Sequence, residues 1–393
     1  MMATPHEELK HRLEGLQQEM RKAGIGGALI EQRVDLFYFS GTAQQGQLLI
    51  PAAGEPCLLV RKNLERARRE SALKEVEPFE GSARLAELVR ELIPAGSRFG
   101  LELDVLPANL YFRYRKLFDT FDLVDVSPLI RRLRAVKSPY EIGLMRQAAA
   151  LSTAMFNYAR EIITAGMTEI ELAAQLEAFV RARGHQGAVR MRTFNQEMFY
   201  DQIMCGANAA APSYFDGPTG GNGLSAAYPQ GAGRGPIRRN ETIFIDFVTV
   251  LDGYMVDQTR IFCLGQLPEK LRFAHRIALQ IKEELMQKGK AGSSGRDLYE
   301  HALSLAAGAG LEDYFMGAEE KIKFIGHGVG LELDELPVIA RNFDLVLEPG
   351  MVIALEPKFI FPRLGVVGVE DTFIVRPDGL EPLTSFDDTI QYL

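Results

Sequence analysis

The sequence predicts two domains, a smaller α/β domain over residues 1–128 and a larger α+β domain over 129–393. Three observations carry this. The 393 residues are 47% apolar, enough for two or three packed cores at about 150 residues per domain. Short β-like runs alternate with helical stretches as far as roughly Val126, whereas beyond it helices stand apart from groups of strands and hairpins. Between the two patterns lies the basic segment RRLRAVKSPYEIGLMRQAA, in which Ser138 caps a helix, Pro139 takes its first position and Glu141 completes a capping box.

Taken in order, residues 7–23 read as a helix, with Leu9, Leu13, Leu16 and Met20 on one stripe and Gly24 just past its end. The runs GGALI, DLFYFSG, GQLLIP and PCLLVRK read as strands, and LERARRES and ARLAELVRELI as helices. After the long helix that starts at Pro139, a second box from Thr168 to Glu171 opens another, and two more are expected near 268–288 and 295–307. Residues 216–236, DGPTGGNGLSAAYPQGAGRGP, form a long loop, and the absence of GxxxxGK[ST] excludes a phosphate loop.

Composition narrows the function. A net charge of −8 offers no general attraction to nucleic acid or anionic lipid, and no apolar run approaches the length of a membrane span. Cys57, Cys205 and Cys263 are too few and scattered for a disulfide framework or a Cys-rich zinc site. The N-terminal MMATPHEELKHRLEGL is charged where an export signal needs an apolar run, so the cytoplasm is the expected location. His275 and His301 fall in helical stretches and His6, His11 and His185 near ends or turns, so all five are assigned surface or capping roles.

The chemistry concentrates in the second half. In ETIFIDFVTVLDGYMVDQTRIFCLG, the Asp252-Gly253 turn predicts a hairpin that pairs Val248 with Asp257 and Asp246 with Thr259. Asp246 and Asp257 are then diagonal neighbours on one face of an apolar hairpin, where two like charges need a cation. His327 stands among glycines in FIGHGVGLELDELP. In EPGMVIALEPKFIFPRLGVVGVEDTFIV, an odd-numbered loop near Arg363 puts Glu356 opposite Glu370, and a two-residue loop puts them on opposite faces. Two Asp, one His and two Glu suit two hard divalent ions, probed first as Mn²⁺ with Co²⁺ or Zn²⁺ as the other candidates. Such a pair activates a bridging water for hydrolysis.

The ordered set DxxxxxxGYxxDxTR, GHGVGL, EP and VED resembles the metallopeptidases of the pita-bread fold: methionine aminopeptidase, aminopeptidase P, prolidase and creatinase. ALIEQRVDLFYFSGTAQQGQLLIP resembles the N-terminal domain of the prolidase, aminopeptidase P and creatinase branch. The resemblance implies Asp246, Asp257, His327, Glu356 and Glu370 as ligands of a dinuclear centre and Glu356 as its acid–base group. It also implies Thr259 and Arg260 as support behind the ligands, a homodimer, and cleavage of Xaa-Pro bonds in dipeptides or short peptides.

The chain departs from the family in the residues that face substrate. Asp334 and Ser213 stand where the family has histidines, and Gly368 where it often has arginine. Tyr214 and Lys358 are the donors available to replace them, and Asp334 and Tyr214 join Glu356 as catalytic candidates. Two further readings stay open: a metal-dependent hydrolase or lyase acting on a small non-peptide molecule that Asp334 recognises, and a non-catalytic peptide-binding protein.

Overall fold

In the computed structural model, which describes residues 3–393, the stripe of Leu9, Leu13, Leu16 and Met20 is buried along α1 (His6–Lys22). It starts a unit that ends at Arg134. The unit continues through β1 (Ile25–Ile30), α2 (Arg33–Ser40), β2 (Gly46–Pro51), β3 (Cys57–Val60), α3 (Leu64–Glu70) and β4 (Glu75–Pro78). Next come α4 (Ser82–Leu92), β5 (Arg98–Leu101), α5 (Ala108–Leu117) and β6 (Asp122–Asp125), with α6 (Ser127–Ala135) at its end. Its six strands form one mixed sheet in the order β4-β3-β2-β1-β5-β6.

One expected strand is a helix. The run DLFYFSG lies in α2, where the Gln32 side chain accepts from the N–H groups of Val34 and Asp35 at 2.6 and 2.8 Å and Gly41 ends the helix at φ 77°. Its apolar residues are buried on nearly all sides, and so short a run has no period that separates helix from strand. Asp35, fully buried there, is paired with Arg134 at 2.6 Å.

The second unit runs from Ala135 to Leu393, so the division falls inside the basic segment and a few residues beyond 128/129. α7 (Pro139–Ile162) and α8 (Glu169–Arg181) each begin with a complete capping box, at Ser138/Glu141 and Thr168/Glu171. After β7 (Asp201–Cys205) and the short α9 (Gly206–Ala209) come β8 (Ile243–Leu251) and β9 (Tyr254–Cys263), then α10 (Glu269–Lys288) and α11 (Gly295–Gly308). β10 (Phe324–Gly328), β11 (Glu335–Ala340), β12 (Val352–Leu355), β13 (Lys358–Phe361) and β14 (Gly365–Gly368) follow. β15 (Asp371–Val375), β16 (Leu380–Pro382) and β17 (Gln391–Tyr392) complete the chain. Three sheets result, β17-β9-β8-β7, β11-β10-β12-β15-β16 and the ribbon β13-β14. Leu271, Ala274, Ala278 and Ile281 of α10 pack with Phe244, Ile353, Phe359 and Phe373 of the strands in one core. Among the described residues no helix is long and apolar enough to cross a membrane.

The Gly-rich loop is anchored. Glu169, buried at the start of α8, accepts from the N–H groups of Cys205 and Gly233 at 2.6 and 2.7 Å and from the Asn208 amide at 2.6 Å. Gly223, at φ 61°, lies so close to the carbonyl of Tyr228 that a Cβ would stand 2.4 Å from it.

His275 and His185 are buried rather than at the surface. His185 Nε2 donates to the Val248 carbonyl at 3.0 Å and its Nδ1 accepts from the Gly187 N–H. On α10, His275 Nε2 donates to the Asp388 carbonyl at 2.8 Å, and burial pushes this imidazole down to about 4. A base lowered in the fold contributes stability that is present above its unfolded value near 6.5 and is lost as pH falls toward 4. Between pH 7 and pH 5 the intact protein should therefore lose about 2 kcal/mol more than a His275→Gln variant in parallel urea melts.

Candidate metal centre

The site is assembled from two hairpins. In β8–β9 the two-residue turn at Asp252-Gly253 sets Val248 opposite Asp257 and Asp246 opposite Thr259, as expected from the sequence. In the second, Leu355 lies opposite Asp371 and Lys358 opposite Gly368, with three residues, Pro362 to Leu364, joining β13 to β14. The odd loop, with Arg363 at φ 65°, keeps register from one pair to the other and sets Glu356 across from Glu370. The hairpins meet where Thr259 and Glu370 exchange backbone hydrogen bonds at 3.2 and 3.3 Å, and where the Thr259 hydroxyl donates to Glu370 Oε2 at 3.0 Å.

His327 enters from β10, held between β11 and β12 by pairing with Val338 and Ala354. The glycines beside it permit this close fit, for a Cβ on Gly326 would stand 2.4 Å from the Ala354 carbonyl and one on Gly328 2.1 Å from that of Leu336. Its Nδ1 donates to the Gly328 carbonyl at 3.2 Å, which leaves Nε2 facing Asp257 and Glu370. Those contacts, 4.0 Å to Asp257 Oδ2 and 3.7 Å to Glu370 Oε1, are too long for hydrogen bonds. They match the roughly 3–4 Å between two ligand atoms that each lie about 2.1 Å from one ion. Asp257, His327 and Glu370 each offer an atom within 4.8 Å of the others, and Asp257 Oδ1 and Glu370 Oε1 are buried with no hydrogen-bond partner among the described residues. Buried carboxylate oxygens without partners are costly, and a divalent ion held by these three residues would offset that cost.

Charge crowding dominates the electrostatics. Burial, then Glu370 and Asp246, pushes the Asp257 carboxyl well above its ordinary range. Glu356 is pushed up to about 7 by burial, with Lys358 opposing and Glu370 reinforcing the rise. Burial alone would lower His327, but the carboxylates of Glu370, Glu356 and Asp257 raise it to about 10. Lys358, on β13, brings its ammonium into the same space, 2.9 Å from Asp246 Oδ2, 3.0 Å from Glu356 Oε2 and 2.6 Å from Glu370 Oε2.

Arg260 sits behind the junction, where it donates to the carbonyls of Thr259, Glu370 and Phe386 at 2.8, 2.9 and 2.6 Å and to Asp371 Oδ1 at 2.7 Å. Asp371 also receives Lys282 at 2.9 Å, Gln258 at 3.0 Å and the Thr384 hydroxyl at 2.8 Å. This network fixes the backbone on both sides of Glu370. Sequence reasoning missed Asp371, Lys282 and Gln258; the Asp that follows Glu370 in VED was the available signal.

Asp334 and Tyr214 are engaged elsewhere. Both carboxylate oxygens of Asp334 accept from the segment across from it, Oδ1 from the Arg192 N–H at 2.9 Å and Oδ2 from the N–H and hydroxyl of Thr193 at 3.1 and 2.7 Å. Tyr214, half exposed, accepts from the Gln230 amide at 2.6 Å and donates to the Glu197 carbonyl at 3.3 Å, and none of its hydrogen bonds reaches the five expected ligands. Ser213 donates to the Pro229 carbonyl.

Comparison with known proteins agrees with this geometry. Residues 143–377 match the model of metallopeptidase family M24, and residues 12–136 that of the creatinase/prolidase N-terminal domain. The chain is 28% identical over 379 residues to the Xaa-Pro dipeptidase of Pyrococcus furiosus, covering 96% of this chain and 98% of that one. Among solved structures it is similar to an Xaa-Pro dipeptidase from Bacillus anthracis, with a TM-score of 0.84 at 26% identity, covering 98% and 100% of the two chains. The prolidase of Pyrococcus horikoshii gives a TM-score of 0.81 at 26% identity over 96% and 99%.

If Asp257 is a ligand, Asp257→Asn should weaken Mn²⁺ binding by at least about 100-fold in calorimetry. The same substitution should leave the melting temperature of the chelated protein equal or higher, because a neutral amide is cheaper to bury than a crowded carboxylate.

Proposed function

The chain belongs to metallopeptidase family M24, with a creatinase/prolidase-type domain ahead of a pita-bread catalytic domain, and from that premise we propose that it hydrolyses Xaa-Pro bonds in dipeptides or short peptides. The observation that carries the reading is the convergence of Asp257, His327 and Glu370 around two bare, buried carboxylate oxygens. Asp257, His327 and Glu370 would hold a divalent ion, Mn²⁺ in this reading with Co²⁺ or Zn²⁺ as alternatives, which would supply Lewis acidity toward a water and the scissile carbonyl.

Glu356 is the proton-transfer group. Its buried carboxylate takes a proton from the attacking water and returns it to the departing proline nitrogen. The Lys358 ammonium, 3.0 Å from Glu356 Oε2, fixes the orientation of that carboxylate. Thr259 and Arg260 hold Glu370, and Asp334 is a positioning residue that ties down the 192–193 segment. The two-ion form of this reading, with all five residues as ligands, requires Lys358 to release three carboxylates.

A non-peptide substrate rested on a free acid at position 334, and that carboxylate is already satisfied by Arg192 and Thr193. The reading also takes the working form to be a cytoplasmic homodimer. Three buried, unpaired cysteines support the reducing compartment.

The test is a panel of Xaa-Pro dipeptides given to chelator-treated protein, before and after Mn²⁺ is restored. Turnover should need the metal, and Glu356→Gln should lower kcat by at least about 100-fold. Metal-independent turnover would remove the metal from the mechanism, and no cleavage of any member of the panel would remove the peptidase assignment.

A further inference from the structure

Lys358 brings a charge into the centre that the two-ion arrangement does not use. It lies two positions after Glu356, so the alternation of an extended chain sends both side chains to the same face. Across the ribbon stands Gly368, where a Cβ would meet the Pro357 carbonyl at 2.4 Å, the Lys358 Cα at 2.7 Å and its Cγ at 3.0 Å. The residue without a side chain leaves the lysine stem its path. Gly368 and Lys358 therefore belong together: a side chain at 368 would stand where the lysine stem runs.

An ammonium has three N–H donors, and each finds a different carboxylate here, on Asp246, Glu356 and Glu370. The lysine side chain is 2% exposed, and the Phe244 ring centroid lies 5.6 Å from its nitrogen. To withdraw it would strand buried charges on both sides.

The carboxylate oxygens divide accordingly. Asp246 Oδ2, Glu356 Oε2 and Glu370 Oε2 face the ammonium. Glu370 Oε1, which has no hydrogen-bond partner among the described residues, and Asp257 Oδ2 face His327 instead, at 3.7 and 4.0 Å. Glu370 thus bridges two cation positions, one filled by a side chain and one suited to an ion.

We propose that this chain binds a single divalent ion, through Asp257, His327 and Glu370, and that the Lys358 ammonium replaces the second ion of the family's pair. The inference rests on the metallopeptidase reading for the presence of an ion and departs from it in the count. A fixed ammonium offers hydrogen-bond donors and a single charge in place of a Lewis acid. It orients Glu356 and neutralises Asp246 without activating water, so water activation falls to the one remaining ion.

Metal-stripped full-length protein is titrated with Mn²⁺ by calorimetry, and the loaded sample is read by electron paramagnetic resonance. The expected result is one Mn²⁺ per chain with the spectrum of an isolated ion. Two Mn²⁺ with an exchange-coupled spectrum overturn the replacement and leave the peptidase reading standing, whereas no bound Mn²⁺ overturns both. Lys358→Met keeps the stem and removes the charge, and should raise the count to two with coupled spins. A folded Lys358→Met protein, judged by circular dichroism, that still binds one ion shows that the ammonium is not what excludes the second. The count for the unaltered protein decides the matter if that variant does not fold.

Discussion

Four carboxylates, those of Asp246, Asp257, Glu356 and Glu370, share one buried space, and the surrounding structure is arranged by their mutual repulsion. Their cations come in layers. Lys358 and His327 stand among them, and behind them Arg260 and Lys282 meet a fifth carboxylate, Asp371. Each acid pays a desolvation cost of several kcal/mol that only close, well-aligned partners offset. The strands must therefore hold register to a fraction of a residue, because a slip by one would turn an acid into the core on the wrong face. The backbone exchange between Thr259 and Glu370 joins the two hairpins where this tolerance is tightest.

Much of this was legible because hairpin register is local. Asp252-Gly253 specifies a two-residue turn, and the opposition of Asp246 to Thr259 follows by counting. The second hairpin could not be counted, since nothing near Arg363 distinguishes a loop of two residues from one of three. The structure settles it with Arg363 at positive φ. Residues 33–40 misled for a different reason: buried on almost every side, they lack the polar face that would reveal a helical period. Lys358 was visible as a residue but not as a ligand of three acids, because its reach depends on the glycine opposite it and on pairings more than a hundred residues away in sequence.

The positions at which the chain departs from its family are not idle. Asp334 anchors the backbone at Arg192 and Thr193, Ser213 is tied to the Pro229 carbonyl, and Gly368 opens the way for Lys358. The substrate-facing groups have been exchanged for groups that hold loops and strands together. The Gly-rich segment follows the same pattern, with Glu169 gathering Cys205, Asn208 and Gly233 onto one buried carboxylate.

Lys358 also changes when neutralisation happens in the life of the molecule. A counter-charge supplied by an ion arrives after translation and depends on how much free metal the cell holds, and until it arrives the fold must bear the repulsion. A counter-charge carried on a side chain is inherited with the sequence and takes its place as the ribbon of β13 and β14 closes. Three of the four acids in this centre touch that ammonium. The architecture can therefore assemble before any ion binds, so that folding and metal loading are separate events.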